Sequence, residues 1–244
     1  MVSRLSLLRT ALVALFAAAL AFAPAQAADG VDLSVETIVT YDVVEEDAEE
    51  DTVEAPGMVQ RHAATPALQS DERTGPRFGP FTVVDGSTAR MVGGVGSATP
   101  RQFAAMLAAH PALKRIELVD CPGSLDEEAN LRLARAIRRA GLATHVPDGG
   151  SVRSGAVELF LAGTTRSAAP TAEFGVHSWR DEDGREARDY PANDPVHAEY
   201  LSYYREMGMD AATAQAFYAM TNASSFDDLQ YLTRADIARY VALN

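Results

Sequence analysis

The sequence predicts an α/β fold built on a parallel or mixed sheet, and three observations carry the prediction. Short apolar segments of strand length alternate with stretches of helical periodicity between Phe81 and Val176. Glycine-containing breaks follow the strand candidates, at Pro122-Gly123 and at Asp148-Gly149-Gly150. Helix-start and helix-stop residues flank the helical stretches. Such alternation implies right-handed β-α-β crossovers.

Each element has its own warrant. Phe81-Thr82-Val83-Val84 and Thr88-Ala89-Arg90-Met91-Val92 flank Asp85-Gly86, a hairpin turn signal. Thr99-Pro100 reads as an N-cap with proline at the first helical position, and the helix Arg101 to Ala109 puts Phe103, Met106 and Leu107 on one face. Arg115 to Val119 reads as a strand. Ser124 and Glu127 have capping-box spacing, and the helix they open runs to Ala140 with Leu131, Ala134 and Ile137 inward and Gly141 as its stop. Leu142 to Val146 is a further strand. A serine-headed helix then covers the apolar run Val157 to Ala162, and Ala172 to Val176 leads into His177.

The last third reads as mainly helical. Asp194-Pro195 caps a helix reaching Met207, and Asp210 caps one reaching Met220. The aromatic cluster Tyr190, Tyr200, Tyr203, Tyr204, Phe217 and Tyr218 reads first as helix packing, and second as a lid or substrate wall. Residues 225–244 return to the core, closing with a helix from Thr233 to Ala242.

The first 75 residues stand apart from this core. Arg4 and Arg9, the apolar Leu12 to Ala23 and Ala25-Gln26-Ala27 have the layout of a signal peptide, so residues 1–27 are expected to be removed on export. Residues 28–75 read as an acidic, disordered leader. The chain carries −13 in all, and the segment from Ala28 to Gln60 holds eleven acidic residues without a single Lys or Arg. The acidity therefore belongs to the leader, and no basic patch for nucleic acid is evident. Residues 76–244 form the expected folded domain, with no integral membrane segment after cleavage. Cys121 is the one cysteine, which excludes an internal disulfide. The five histidines lack metal-ligand spacing, so neither metal nor cofactor is expected.

The chemistry-bearing residues lie between Ser151 and Trp179. Ser154 sits among small residues in Ser154-Gly155-Ala156, and His177 ends a strand 23 residues later. A hydroxyl becomes a useful nucleophile when a base takes its proton, and small neighbours leave room for a substrate carbonyl. The same residues also fit helix-start chemistry and a structural histidine.

The order of three pieces gives a resemblance. Asp120-Cys121-Pro122-Gly123-Ser124, Ser154-Gly155-Ala156 and Phe174-Gly175-Val176-His177-Ser178 together resemble the ClpP-like serine peptidases of the ClpP/crotonase superfamily, closest to an exported branch often labelled hypothetical or alpha/beta-hydrolase-like. The resemblance covers about residues 80–244. It implies a repeated β-β-α superhelix with a helical C-terminal third. It also implies a triad of Ser154, His177 and Asp228, with Asp227 as the alternative acid, and oxyanion donors at Gly123 and Gly155. The sequence departs from the family at Ser124, which replaces a second glycine, at Ala156, where the exported branch often has cysteine, and at Arg239-Tyr240-Val241, where Tyr-Gly is expected. A Ser-Lys dyad is disfavoured because Lys114, the one lysine, precedes the first core strand.

The function this implies is an exported, ATP-independent serine hydrolase, a peptidase acting on peptide or unfolded protein, in a family that tends to form homo-oligomers. The competing reading is a non-catalytic binding or scaffold protein on the same fold, with the tyrosine-rich helices as its interface. A crotonase-like acyl-CoA enzyme ranks third, because an exported protein rarely meets CoA.

Overall fold

The computed structural model describes residues 74–244. The signal-peptide reading, and the leader up to residue 73, lie outside the described residues. The described chain folds as an α/β unit in which one mixed sheet of nine strands is flanked by six α-helices.

The sheet begins with the hairpin expected at Asp85-Gly86. Strands β1 (Arg77–Phe78), β2 (Phe81–Val83) and β3 (Thr88–Val92) pair antiparallel. The turn is fixed by Asp85, whose Oδ1 accepts from the Ser87 N–H at 2.7 Å. From β3 the chain crosses over through α1 (Thr99–Ala109) to β4 (Arg115–Cys121), which lies parallel to β3. Helix α2 (Glu127–Arg139) returns it to β5 (Ala143–Val146).

β4 then serves two partners along its length. Its first half, Arg115 to Glu117, pairs with β5, while Asp120 and Cys121 pair with β6 (Ser151–Arg153). The sheet therefore divides. One branch continues β5 to β7 (Arg166–Ala168), and the other runs β6, β8 (Glu173–Val176), β9 (Gln230–Thr233). Helix α3 (Ala156–Leu161) connects the two branches, since it follows β6 and precedes β7. This split aims the ends of β6 and β8 at one place. The three-residue β6 is too short to have a periodicity of its own, and the sequence shows only the Asp148-Gly149-Gly150 break before it.

The core is apolar and continuous. Phe81, Phe103, Ile116, Leu118, Leu133, Leu159, Phe160 and Phe174 are all at most 1% exposed. Phe160 of α3 and Phe174 of β8 pack edge to face at 4.9 Å between centroids, which fixes α3 on the sheet. Each such side chain contributes about 1.5–3 kcal/mol by leaving water.

Two helix starts differ from expectation. Helix α1 begins at Thr99 itself, with Ala98 as N-cap, and the Thr99 hydroxyl accepts from the Gly96 N–H at 3.0 Å. Proline at the second helical position already fixes φ there, so no side-chain cap is required. For α2 the N-cap is Asp126, which accepts from the Ala129 N–H at 2.9 Å. Ser124 Oγ instead donates to Glu127 Oε2 at 3.0 Å. A carboxylate two residues later outcompetes a hydroxyl for an N–H at a positive helix end.

The C-terminal helices follow their caps. Asp194 opens one turn of 3-10 helix, Pro195–His197, that leads into α4 (Ala198–Glu206), and Asp210 caps α5 (Ala211–Thr221). The terminal helix expected from Thr233 to Ala242 is shorter. Residues Gln230–Thr233 add β9 antiparallel to β8, and only Arg234–Ile237 form α6, under a reciprocal Thr233–Asp236 capping box. Thr233 pairs with Glu173 in the strand, and beyond Ile237 the chain closes as turns, with Arg239 N–H donating to Asp236 O at 3.2 Å and Tyr240 N–H to Ile237 O at 3.0 Å. Among the described residues no helix is long and apolar enough to cross a membrane.

Candidate active site

The site is assembled where β6 and β8 end. Arg153, the last residue of β6, is 3% exposed and its Nη1 donates to Asp120 Oδ1 at 2.9 Å and to Ser151 Oγ at 2.7 Å. The Ser151 hydroxyl donates in turn to Glu173 Oε1 at 2.8 Å. A buried guanidinium with carboxylate and hydroxyl acceptors is locked in place. The strand end it holds is the residue before Ser154.

Ser154 has φ +49°, and it is the one non-glycine residue with positive φ among the described residues. Its N–H donates to Gly175 O at 2.8 Å and its carbonyl accepts from Val157 N at 2.9 Å, so the bend is held from both sides. A non-glycine residue in the left-handed region costs about 1–3 kcal/mol, and such strain persists only where the surroundings impose it. The bend separates β6 from α3 and turns the hydroxyl toward a cavity.

The two glycines beside it are required by close approach. Gly123 has φ +121°, and a Cβ there would lie 2.9 Å from Ser154 Cβ and 3.4 Å from its Oγ. A Cβ on Gly155 would lie 2.7 Å from Asn130 Nδ2 and 2.8 Å from Ser124 Oγ. Asn130, fully buried on α2, donates from Nδ2 to Gly155 O at 2.7 Å and so fixes the peptide after the serine. Neither the Gly123 nor the Gly155 N–H donates to a backbone acceptor among the described residues.

His177 follows the last residue of β8 and shares the cavity with Ser154. Phe226 stands against its imidazole at 4.7 Å between centroids and 79° between planes. Neither ring nitrogen has a hydrogen-bond partner among the described residues. Burial lowers the His177 pKa and the Arg180 guanidinium acts in the same direction, against the adjacent Ser178 main chain and the carboxylates of Asp227 and Glu186. The shift favours the neutral ring, the form in which it accepts a proton.

Asp227 and Asp228 lie on the segment that enters β9. Because Gln230 pairs with Val176, this segment runs beside His177. Both aspartates face solvent. Asp227 accepts from Arg180 Nη1 at 3.0 and 3.2 Å, and the Arg180 guanidinium lies 3.9 Å over the Phe226 ring. The Asp228 N–H donates to Ser225 O at 3.1 Å. Neither carboxylate bonds to His177, and no hydrogen bond joins Ser154 to His177.

The cavity has a volume of about 400 Å³. Besides Ser154 and His177 its wall includes Glu158 of α3, Glu127 of α2, Tyr200 and Tyr204 of α4, Tyr218 of α5 and Trp179. The aromatic cluster of the last third thus divides. Tyr203 and Phe217 are core, fully buried, whereas Tyr200, Tyr204 and Tyr218 are cavity wall. Glu158 escaped the sequence reading because it sits within an apolar helical run, where a lone acid is itself the signal. It is 7% exposed, and burial followed by the charge of Glu127 pushes its carboxyl up to about 8. Tyr204 Oη donates to Glu158 Oε1 at 3.0 Å, and Tyr200 Oη donates to Glu127 Oε1 at 2.8 Å. Trp179 Nε1 donates to Tyr218 Oη at 2.7 Å, and Tyr218 contacts His197 Nδ1 at 2.7 Å, which braces the outer wall. Among the described residues no group of His, Cys, Asp and Glu could hold a metal ion.

No family model and no curated protein matches the chain. Solved structures align with part of the chain. A mutant of the 1510-N membrane-bound stomatin-specific protease aligns with 63% of this chain and 75% of its own at 18% identity and a TM-score of 0.45. The 1510-N membrane protease specific for a stomatin homolog from Pyrococcus horikoshii aligns at 20% identity over 65% of this chain and 71% of its own, with a TM-score of 0.43. A ClpP1 mutant from Listeria monocytogenes aligns at 14% identity over 65% of this chain and 92% of its own, with a TM-score of 0.39.

Proposed function

We propose that this chain is a serine hydrolase, and more narrowly a peptidase, with Ser154 as nucleophile and His177 as base. One observation carries the reading: Ser154 is held at φ +49° against Gly123, in the same cavity as the His177 imidazole. In the reaction, His177 takes the proton of Ser154 Oγ as the oxygen attacks a substrate carbonyl. The carbonyl becomes an oxyanion that accepts from the N–H groups of Gly123 and Gly155. Its collapse expels the leaving amine, which receives the proton from His177. Water then attacks the acyl-serine by the same route, releasing the acid and restoring the hydroxyl.

The third member of the triad is proposed as Asp228, with Asp227 as the alternative. For either to orient the imidazole, the segment between Ser224 and Leu229 has to turn toward His177. Catalytic contacts commonly tighten when substrate is bound. In the compartment that an exported chain reaches there is no ATP pool, so the substrate would be a short or already unfolded peptide. Assembly into a homo-oligomer belongs to the same proposal.

A second reading has an observation of its own. The two bare nitrogens of His177 suit a non-catalytic binding protein that keeps the fold. A fluorophosphonate probe separates the two. The hydrolase reading expects covalent labelling of the wild-type chain and none of Ser154→Ala. A wild-type chain that stays unlabelled, or equal labelling of both, would leave the binding reading in its place.

A further inference from the structure

We infer that Glu158 and Glu127 form a subsite for a cationic side chain, so that the preferred substrate carries arginine or lysine next to the carbonyl attacked by Ser154. The inference rests on the hydrolase reading for the word substrate, but the subsite itself is argued from the cavity.

Position comes first. Glu158 projects from the first turn of α3, just past the bend at Ser154, and both residues line one cavity. Glu127 reaches the same cavity from α2. A cavity of about 400 Å³ accommodates a long side chain together with the reacting carbonyl.

Charge comes second. Neither Glu158 nor Glu127 has an ion-pair partner among the described residues, although other acids of the chain do. Arg180 is the one guanidinium on the cavity wall, and it is held by Asp227. Glu158 is more than nine-tenths buried, and Tyr204 supplies a hydrogen bond to Oε1 alone. Its other oxygen takes no hydrogen bond from any other described residue. A buried acid with a free acceptor and no counter-charge is costly unless something supplies the cation. Without a cation the carboxyl holds its proton, in line with its upward-shifted pKa of about 8. An amidinium or ammonium group entering from the Ser154 side provides both donor and charge. The aromatic walls Tyr200 and Tyr204 pack along the apolar stem of such a side chain.

The sequence supplies its own reporter. Trp179 is the single tryptophan of the chain and lines this cavity. The experiment titrates the full chain with benzamidine, and with neutral benzamide in parallel, and follows Trp179 emission. Saturable binding of benzamidine is expected, with benzamide weaker by about tenfold or more, and Glu158→Gln is expected to lose that preference. Equal affinities for the two compounds in the wild-type chain overturn the inference, and so does a preference that survives both Glu158→Gln and Glu127→Gln. A second measurement compares kcat/KM for matched arginyl and norleucyl peptide esters. Hydrolysis with no arginyl preference overturns the subsite while sparing the hydrolase. Benzamidine binding that depends on Glu158, in a chain that hydrolyses nothing, sustains the subsite while the hydrolase reading fails.

Discussion

The imidazole of His177 and the ring of Phe226 stand nearly perpendicular with centroids 4.7 Å apart, and the guanidinium of Arg180 lies over that same ring at 3.9 Å. The base is thus shielded by an aromatic ring that is itself stacked beneath a cation. Desolvation of this kind disfavours the imidazolium, the direction of the His177 shift.

A pH profile follows from that shift. The unfolded chain protonates this histidine near 6.5, and the folded chain only at lower pH. Its contribution to stability is therefore fully present above pH 6.5 and is lost as pH falls through the folded value. Fluorophosphonate labelling is expected to stay level above pH 6.5 and to decline below it. Phe226→Ala exposes the ring and is expected to move the midpoint upward, which labelling rates between pH 4.5 and 8 would measure.

The strained serine sets stability against activity. Ser154→Gly relieves the left-handed backbone, so the variant is expected to be more stable by about 1 kcal/mol and unlabelled. Denaturant unfolding reads the first effect, and a Ser154→Gly chain that is less stable than wild type contradicts the strain argument.

Gly123→Ala acts oppositely. At φ +121° a Cβ is disfavoured, and here it would also meet Ser154 Cβ at 2.9 Å. The variant is expected to lose more than about 1 kcal/mol and to label at least about tenfold more slowly. Retained labelling would mean that the serine and this loop do not act together.

The two aspartates divide by measurement. Asp228→Asn is expected to slow labelling by about a hundredfold or more, whereas Asp227→Asn, which removes only an exposed ion pair with Arg180, is expected to change it little. The reverse pattern reassigns the acid to Asp227.

Glu158 gives a stability trend of the opposite sign to that of His177. The unfolded carboxyl loses its proton near 4.5 and the folded one near 8, so stability is expected to fall as pH rises between those values. Glu158→Gln should remove that slope, and thermal unfolding at pH 5 and pH 8 would show it.

Much of the fold was legible because its signals are local. Asp85-Gly86 closes its hairpin, Asp194 and Asp210 cap their helices, and Gly141 takes φ +69° after α2. The misplaced signals are those where two local options compete. Asp126 took the N-cap role from Ser124, and Thr233 joined the strand beside β8 while the last helix ended at Ile237.

By itself the sequence determined the α/β alternation, the concentration of acidic residues between Ala28 and Gln60, and the candidacy of Ser154 and His177. These depend on residue type and short-range spacing, which hydrophobic burial and backbone sterics read directly. Tertiary structure alone decided that β4 divides its pairing between β5 and β6, and that Gly123 lies against Ser154. It also decided that the tyrosines of α4 enclose Glu158 and that Phe226 rather than an aspartate touches the imidazole. Such contacts join residues tens of positions apart, and their energies exist only once the chain has closed on itself.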